Sequence, residues 1–181
     1  MVKNDSSNRD PYDSRVIEVR RTVKVVAGGR NFGFSALVVI GDGKSMVGYA
    51  YGKGKEVSAA VQKAIEKAKK NMTGIKLNSA CTVQHPIKAS SGASTVMILP
   101  GRDGSGIIAG GAVRAVFEVL GVKNVVAKCI GSRSPGNVVR ATLKGLREMM
   151  SPSDVARRRG ITVRQVFGRD LQVFSDSNAS K

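Results

Sequence analysis

The chain has no tryptophan, one histidine and two cysteines, and aromatic residues make up only 4% of its 181 positions. Two cysteines, Cys81 and Cys129, with no CxxC pair, are too few for a disulfide framework or a zinc ribbon. No apolar run approaches the roughly 18 residues that span a bilayer. Residues 1–15 are polar and lack the apolar block of a secretory signal. Acid is scarce: 13 Asp and Glu stand against 30 Lys and Arg, a formal net charge of +17. These absences set aside transmembrane, secreted-scaffold and zinc-ribbon readings, and leave a soluble, reduced, cytoplasmic protein as the expectation. The length suits one domain or two small ones with a real core.

The charge surplus is the first positive signal. Such a surplus repels itself and is usually carried where a polyanion neutralises it. Lys and Arg displace condensed counterions from nucleic-acid phosphates, which gives salt-dependent binding. A merely solubilising surface would use acid more readily. An anionic membrane would want one basic amphipathic helix with bulky apolar anchors, and the sequence offers none, so no membrane partner is expected.

The pattern along the chain reads as two units between polar ends. Residues 1–15 and 175–181 have almost no apolar content and read as disordered tails. Ile17, Val19, Val23 and Val25 alternate with polar residues, a period of two. Residues 27–31 (AGGRN) punctuate the run, and a second strand follows with Phe32, Phe34, Ala36, Val38 and Ile40. Residues 41–44 (GDGK) make a hairpin connection to a third strand over 46–51, which Gly52 and Gly54 are expected to break. From Glu56 to Met72 the period turns helical, with Val57, Ala60, Val61, Ala64, Ile65, Ala68 and Met72 on one stripe. This is β-β-β-α, a helix across a three-stranded antiparallel sheet.

The second unit, joined near 78–80, is less regular. Strands are expected at 82–87 and 94–99 around a turn at 90–92, with Pro86 marking an edge strand. A glycine-rich stretch leads into a helix stopped by Gly121, and a strand follows over 124–130. Ser134-Pro135 starts a helix whose buried stripe is Val139, Leu143, Leu146 and Met150. Short helices at 151–159 and 162–167 close an α+β unit. The domain expectation is a disordered tail over 1–14, a first domain over 15–78, a second over 79–167, and a C-terminal extension over 168–181.

Catalytic chemistry finds little footing. His85 would be needed for any Cys–His or Ser–His pair, and it stands beside Pro86 far from any carboxylate in sequence. Cys81, His85 and Cys129 make at most three of the four ligands of a closed zinc site. No catalytic centre, metal or cofactor is expected. In residues 101–111, Gly104, Gly106 and Ala109 match the G-x-G-x-x-A dinucleotide fingerprint. Nothing acidic lies between Glu118 and Glu148 to hold a ribose, so a tight turn against a neighbouring surface is the favoured reading.

The basic signals are local. Gly28 and Gly29 let backbone approach a phosphate closely, with Arg30 as a planar donor fork. Lys53 and Lys55, in Gly-Lys-Gly-Lys before the helix, place ammonium groups at the helix's positive end. Lys63, Lys67 and Lys70 extend the charge by turns along the helix. Arg20, Arg21, Lys24 and Asn31 complete the expected RNA-binding set.

Several blocks together resemble the bacterial small-subunit ribosomal protein five family. They are Gly28-Gly29-Arg30, residues 34–43 (FSALVVIGDG), Val47-Gly48, Tyr51-Gly52-Lys53, Gln84-His85-Pro86, residues 106–116 (GIIAGGAVRAV) and residues 137–142 (NVVRAT). The resemblance covers about residues 16–168. It implies a first half similar to a double-stranded-RNA-binding domain lacking its first helix. The second half is then an α+β unit with a left-handed β-α-β crossover, against the usual handedness rule. The resemblance further implies a structural constituent of the small ribosomal subunit in the cytoplasm that binds small-subunit rRNA. Its expected neighbours are ribosomal small-subunit proteins four and eight, with messenger RNA nearby and a role in decoding accuracy. Residues 26–31 match a loop near the head–neck rRNA. Gly104, Gly106, Gly110, Gly111 and Arg114 match the region facing protein four. Ala27 departs from the lysine common there, and Ser45, Met46 and Ala50 replace commoner Gly, Arg and Gly.

The reading is therefore a non-enzymatic rRNA-binding protein with no small-molecule substrate. Two other classes stay open at this point. A nucleotide-dependent enzyme would use the 104–111 turn, and a DNA-coating protein would explain the charge but not the mixed fold.

Overall fold

A computed structural model describes residues 12–78 and 81–168. Packing divides the chain into two units, the first ending at Glu148 and the second starting at Met149. Composition instead places a junction near 78–80, where residues 79 and 80 fall outside the described set. The tails expected at residues 1–11 and 169–181 lie outside it as well.

The first unit opens with β1 (Asp13–Val26), β2 (Gly29–Gly41), β3 (Met46–Gly54), α1 (Val57–Lys70) and the short β4 (Thr73–Gly74). They form one antiparallel sheet in the order β1-β2-β3-β4. The first strand begins earlier than its hydrophobic alternation does. Asp13, Ser14 and Arg15, expected in or beside the tail, pair with Gly41, Ile40 and Val39. Backbone hydrogen bonding does not need the side-chain alternation that marks a strand in sequence.

The β1–β2 connection is also tighter than the glycines suggest. Val26 pairs with Gly29, so the turn is only Ala27-Gly28, and Gly29, Arg30 and Asn31 belong to β2. Gly52 and Gly54 do not break the sheet either. They continue β3 opposite Ala36 and Phe34, and their missing side chains face α1. A Cβ on Gly52 would run into the Ala60 carbonyl and lie 2.5 Å from the Ala64 nitrogen, and one on Gly54 would lie 2.8 Å from the Ala60 nitrogen. Glycine on the strand thus meets Ala60, Ala64 and Ala68 on the helix, all fully buried. The interior between them is completed by Ala36, Val38 and Ile40.

The β2–β3 turn is held by one carboxylate. Asp42 Oδ1 accepts from the backbone N–H groups of Lys44 (2.9 Å), Ser45 (2.8 Å) and Met46 (2.8 Å). Partial burial pushes the Asp42 carboxyl up, but the N–H groups of Ser45, Met46 and Lys44 together outweigh it and hold its pKa below the ordinary value.

The rest of the first unit is β5 (Ile87–Ser91), β6 (Ser94–Pro100), β7 (Ile107–Ile108), α2 (Gly111–Leu120), β8 (Val125–Gly131) and α3 (Pro135–Glu148). The second sheet runs β5-β6-β8-β7, with β7 parallel to β8 around α2. The strand expected at 82–87 is replaced by β5, which starts just after Pro86; Thr82 makes only an isolated bridge to Asn124. Ser90 and Ser91 lie in β5, and Gly92 (φ +57°) and Ala93 make the turn. The expected stop at Gly121 holds: it caps α2 at φ +78°. Val138 N–H donates to the Ser134 carbonyl, which starts α3 at Pro135.

α2 covers the face of the first sheet that α1 leaves bare, contacting β1, β2 and β3. Leu37 and Val39, on that face of β2, are fully buried. Gly43 N–H donates to the Val119 carbonyl, and a Cβ on Gly121 would overlap the Gly43 carbonyl. α3 packs on β5 and β6, where Gly145 lies against Ala89, Ile87 and Ile98.

The second unit contains α4 (Pro152–Arg159) and α5 (Val163–Val166). Each starts with a capping box, Ser151 with Asp154 and Thr162 with Gln165. Met150, expected on the buried stripe of the preceding helix, lies beyond that helix's end and is exposed; the Arg158 guanidinium donates to its sulfur at 3.3 Å.

Candidate nucleic-acid interface

Strand register decides which way each basic residue points. Directly paired residues share a face, and successive residues alternate. Arg20 pairs with Ser35, Lys24 with Asn31, and Lys53 also with Ser35. Arg20, Lys24, Asn31 and Lys53 therefore share one face, opposite to α1. Arg21 pairs with Phe34 and Arg30 with Val25, which puts both arginines on the α1 side. Lys53 is thus not at the helix N-terminus as expected from sequence. Lys55 alone stands there, just before Glu56, the N-cap position, which makes no side-chain cap.

Beyond the reach of α1 the two strands project as an arm. Its α1 side carries exposed Val19, Val23, Val25 and Phe32. The Arg21 guanidinium lies over the Phe32 ring at 4.6 Å, a cation–π contact that orders both exposed side chains. On the other face Arg20 Nε is paired with Glu18 at 2.6 Å. Lys24, Arg30, Lys53 and Lys55 have no acidic partner among the described residues. The arm is cationic on both faces, with glycine at its tip: no atom lies within 4 Å of a Cβ placed on Gly28 or Gly29.

The second expected cluster surrounds the glycine turn. Gly104 (φ +84°) and Gly106 (φ +68°) adopt the left-handed region that favours glycine. Asn124, which no sequence pattern marks, organises this turn. Its Oδ1 accepts from Gly106 N–H at 3.1 Å, and its carbonyl accepts from the Thr82 hydroxyl at 2.5 Å. Gly110 and Gly111 open α2 and, with Ile108 and Cys129, line a cavity of about 490 Å³. Burial pushes the Cys129 thiol up, against the lowering effect of Arg133 and Lys128. Arg114 is held by Glu118 at 3.0 Å, and Glu118 also reaches Arg15 of β1 at 3.7 Å.

The described residues thus form an α+β scaffold with a cation-lined arm on a helix-backed sheet. Two family models match, ribosomal protein S5, N-terminal domain, over residues 12–76, and ribosomal protein S5, C-terminal domain, over residues 89–159. The chain is 51% identical over 167 residues to small ribosomal subunit protein uS5 of Pseudomonas fluorescens, covering 92% of this chain and all of that one. It is 54% identical to uS5 of Coxiella burnetii, over 87% of this chain and 93% of that one. The uS5 of Nitrosococcus oceani is 56% identical over 85% of this chain and 90% of its own.

The chain belongs to the ribosomal protein S5 family. It is a structural constituent of the bacterial small ribosomal subunit in the cytoplasm, and not an enzyme. No helix among the described residues is long and apolar enough to cross a membrane.

Proposed function

We propose that the chain binds small-subunit rRNA through the β1–β2 arm and the end of β3. Arg20, Lys24, Asn31 and Lys53 meet phosphates on one side, and Arg21 and Arg30 meet them on the other. The observation that carries this reading is the register, which splits the cations between the two faces of one arm. Such an arm fits between two strands of phosphate, whereas a one-sided patch would rest on a single one. Gly28 and Gly29, open on the side a Cβ would occupy, leave the tip free to approach an RNA backbone. Lys55 adds charge beside the uncapped start of α1.

Residues 15–78 form the RNA-facing part in this reading, and residues 79–167 the part that meets neighbouring proteins. The turn of Gly104 and Gly106, with Gly110, Gly111 and Arg114, faces small-subunit protein four; protein eight and messenger RNA are further neighbours. Support for the protein-facing role is that Gly104 and Gly111 have no atom of the described residues within 4 Å of a Cβ position, which leaves the space before them open to a neighbour. A glycine-lined contact beside the messenger path is how the chain supports decoding accuracy.

Titration with rRNA fragments at several salt concentrations tests the arm. Six phosphate contacts give log K against log salt a slope of about −4 to −5. Replacing Lys24 and Lys53 with Ala should flatten it by about 1.5 to 2. A slope near zero for the unaltered protein would overturn the assignment.

A further inference from the structure

The arm does not account for a second basic surface. Tyr49, Tyr51 and Lys53 stand at intervals of two along β3, so all three share the face opposite α1. α3 comes close to this part of β3 and brings Arg140 and Arg147 into a groove of about 530 Å³ with the two tyrosines and Lys67. An adjoining hollow of about 210 Å³ adds Lys144. Arg140, Lys144 and Arg147 are spaced at four and three residues, which places them on one helix face.

Two contacts fix the groove's shape. The Arg147 guanidinium donates to the Thr73 hydroxyl at 2.5 Å, which holds it across the groove floor. The first turn of α3 reaches the Tyr51 hydroxyl only because residue 136 is glycine; a Cβ there would overlap that oxygen. Glu148 is the single acid among the lining residues of the two hollows, against four cations. Lys67, Arg140 and Lys144 have no ion pair among the described residues, and all three are exposed.

The geometry points to a second RNA site in this groove, one that takes an unpaired, single-stranded segment. The cations track its phosphates, and Tyr51, 41% exposed, offers a ring on which a base can stack. An acidic peptide would be drawn to the same charge but has no flat group to place on the tyrosine. A duplex keeps its bases stacked on one another and gains nothing from the ring. The inference rests on the rRNA-binding reading and extends it from the arm to the groove.

The test uses the full chain with two probes, an oligouridine single strand and an RNA duplex. Arg140→Gln with Lys144→Gln should flatten the oligouridine salt slope by about 1.4, two contacts at the single-strand factor. Tyr51→Leu should weaken oligouridine about tenfold with the slope unchanged, and Tyr51→Phe should bind as the parent does. Neither set should weaken duplex binding as much as oligouridine binding. Arg140→Gln with Lys144→Gln should leave the melting temperature unchanged, because both side chains are exposed. Tyr51 packs on Gly136, so the loss in Tyr51→Leu is scored at a temperature where its unfolding curve shows it folded. If the groove variants bind oligouridine like the parent, or if polyglutamate displaces it as well as RNA does, the groove assignment fails. Lys24→Ala with Lys53→Ala separates the two readings. Weakened duplex binding alongside unaffected groove variants leaves the arm standing without the groove, and unweakened duplex binding removes the arm.

Discussion

At Asp42 one carboxylate oxygen accepts three backbone N–H groups and so closes the β2–β3 turn. Charge-assisted hydrogen bonds of this kind contribute about 1.5 kcal/mol or more when buried, and less at an exposed turn. Asp42→Ala should therefore destabilise the fold by about 1–2 kcal/mol in denaturant unfolding. The sign of the pH effect follows from its lowered pKa. The ionised form is favoured by folding, so the contribution is complete above the ordinary value of 3.8 and fades as pH falls through the lower, folded value. The stability difference between parent and Asp42→Ala should shrink as pH is taken below about 4. A difference that stayed constant into strong acid would assign the turn's stability to its glycines instead.

At the scale of elements, the meeting of α1 with β3 depends on side chains that are missing. Gly52→Ala would drive a methyl group into the Ala60 carbonyl, so strand and helix must separate. Overpacking of that kind costs about 1–3 kcal/mol, and thermal unfolding should show it; Gly28→Ala, with open space at its tip, should show far less. The same site explains where sequence reading succeeded and failed. The alanine stripe of α1 was legible because its period is helical. The role of Gly52 was not, because glycine inside a strand looks the same whether it ends the strand or receives a helix. The parallel pairing of Ile107 and Ile108 was hidden for a different reason: two residues carry no periodicity. That Arg20, Arg21, Lys24, Arg30 and Lys53 are cations near glycine-rich turns is legible in the sequence. Their division between two faces, with Arg20, Lys24 and Lys53 on one and Arg21 and Arg30 on the other, is not, because the bulge at 16–18 and the turn length set the register. The basic face of α3 at 140, 144 and 147 goes unread in the sequence, because only the fold places tyrosines opposite it.

For the whole molecule, a net charge of +17 acts with opposite signs on stability and on binding. The free protein repels itself, so added salt should raise its melting temperature by screening that repulsion. The same salt competes with release of counterions and should weaken RNA binding. Differential scanning calorimetry of the protein with and without an rRNA fragment would check this: salt should raise the first transition and lower the second toward it. Two curves moving in parallel would mean that the charge is spent within the fold rather than on a polyanion.

α2 has a consequence for how the chain comes into being. Leu37 and Val39 are buried by a helix whose last residue, Leu120, lies about eighty positions downstream, and elongation adds about 5–20 residues each second. For roughly 4–16 s after β2 is synthesised, its aliphatic face has no native cover. A nascent chain of this protein therefore waits half-finished, with an oily surface open to chaperones, until the helix that seals it leaves the exit tunnel.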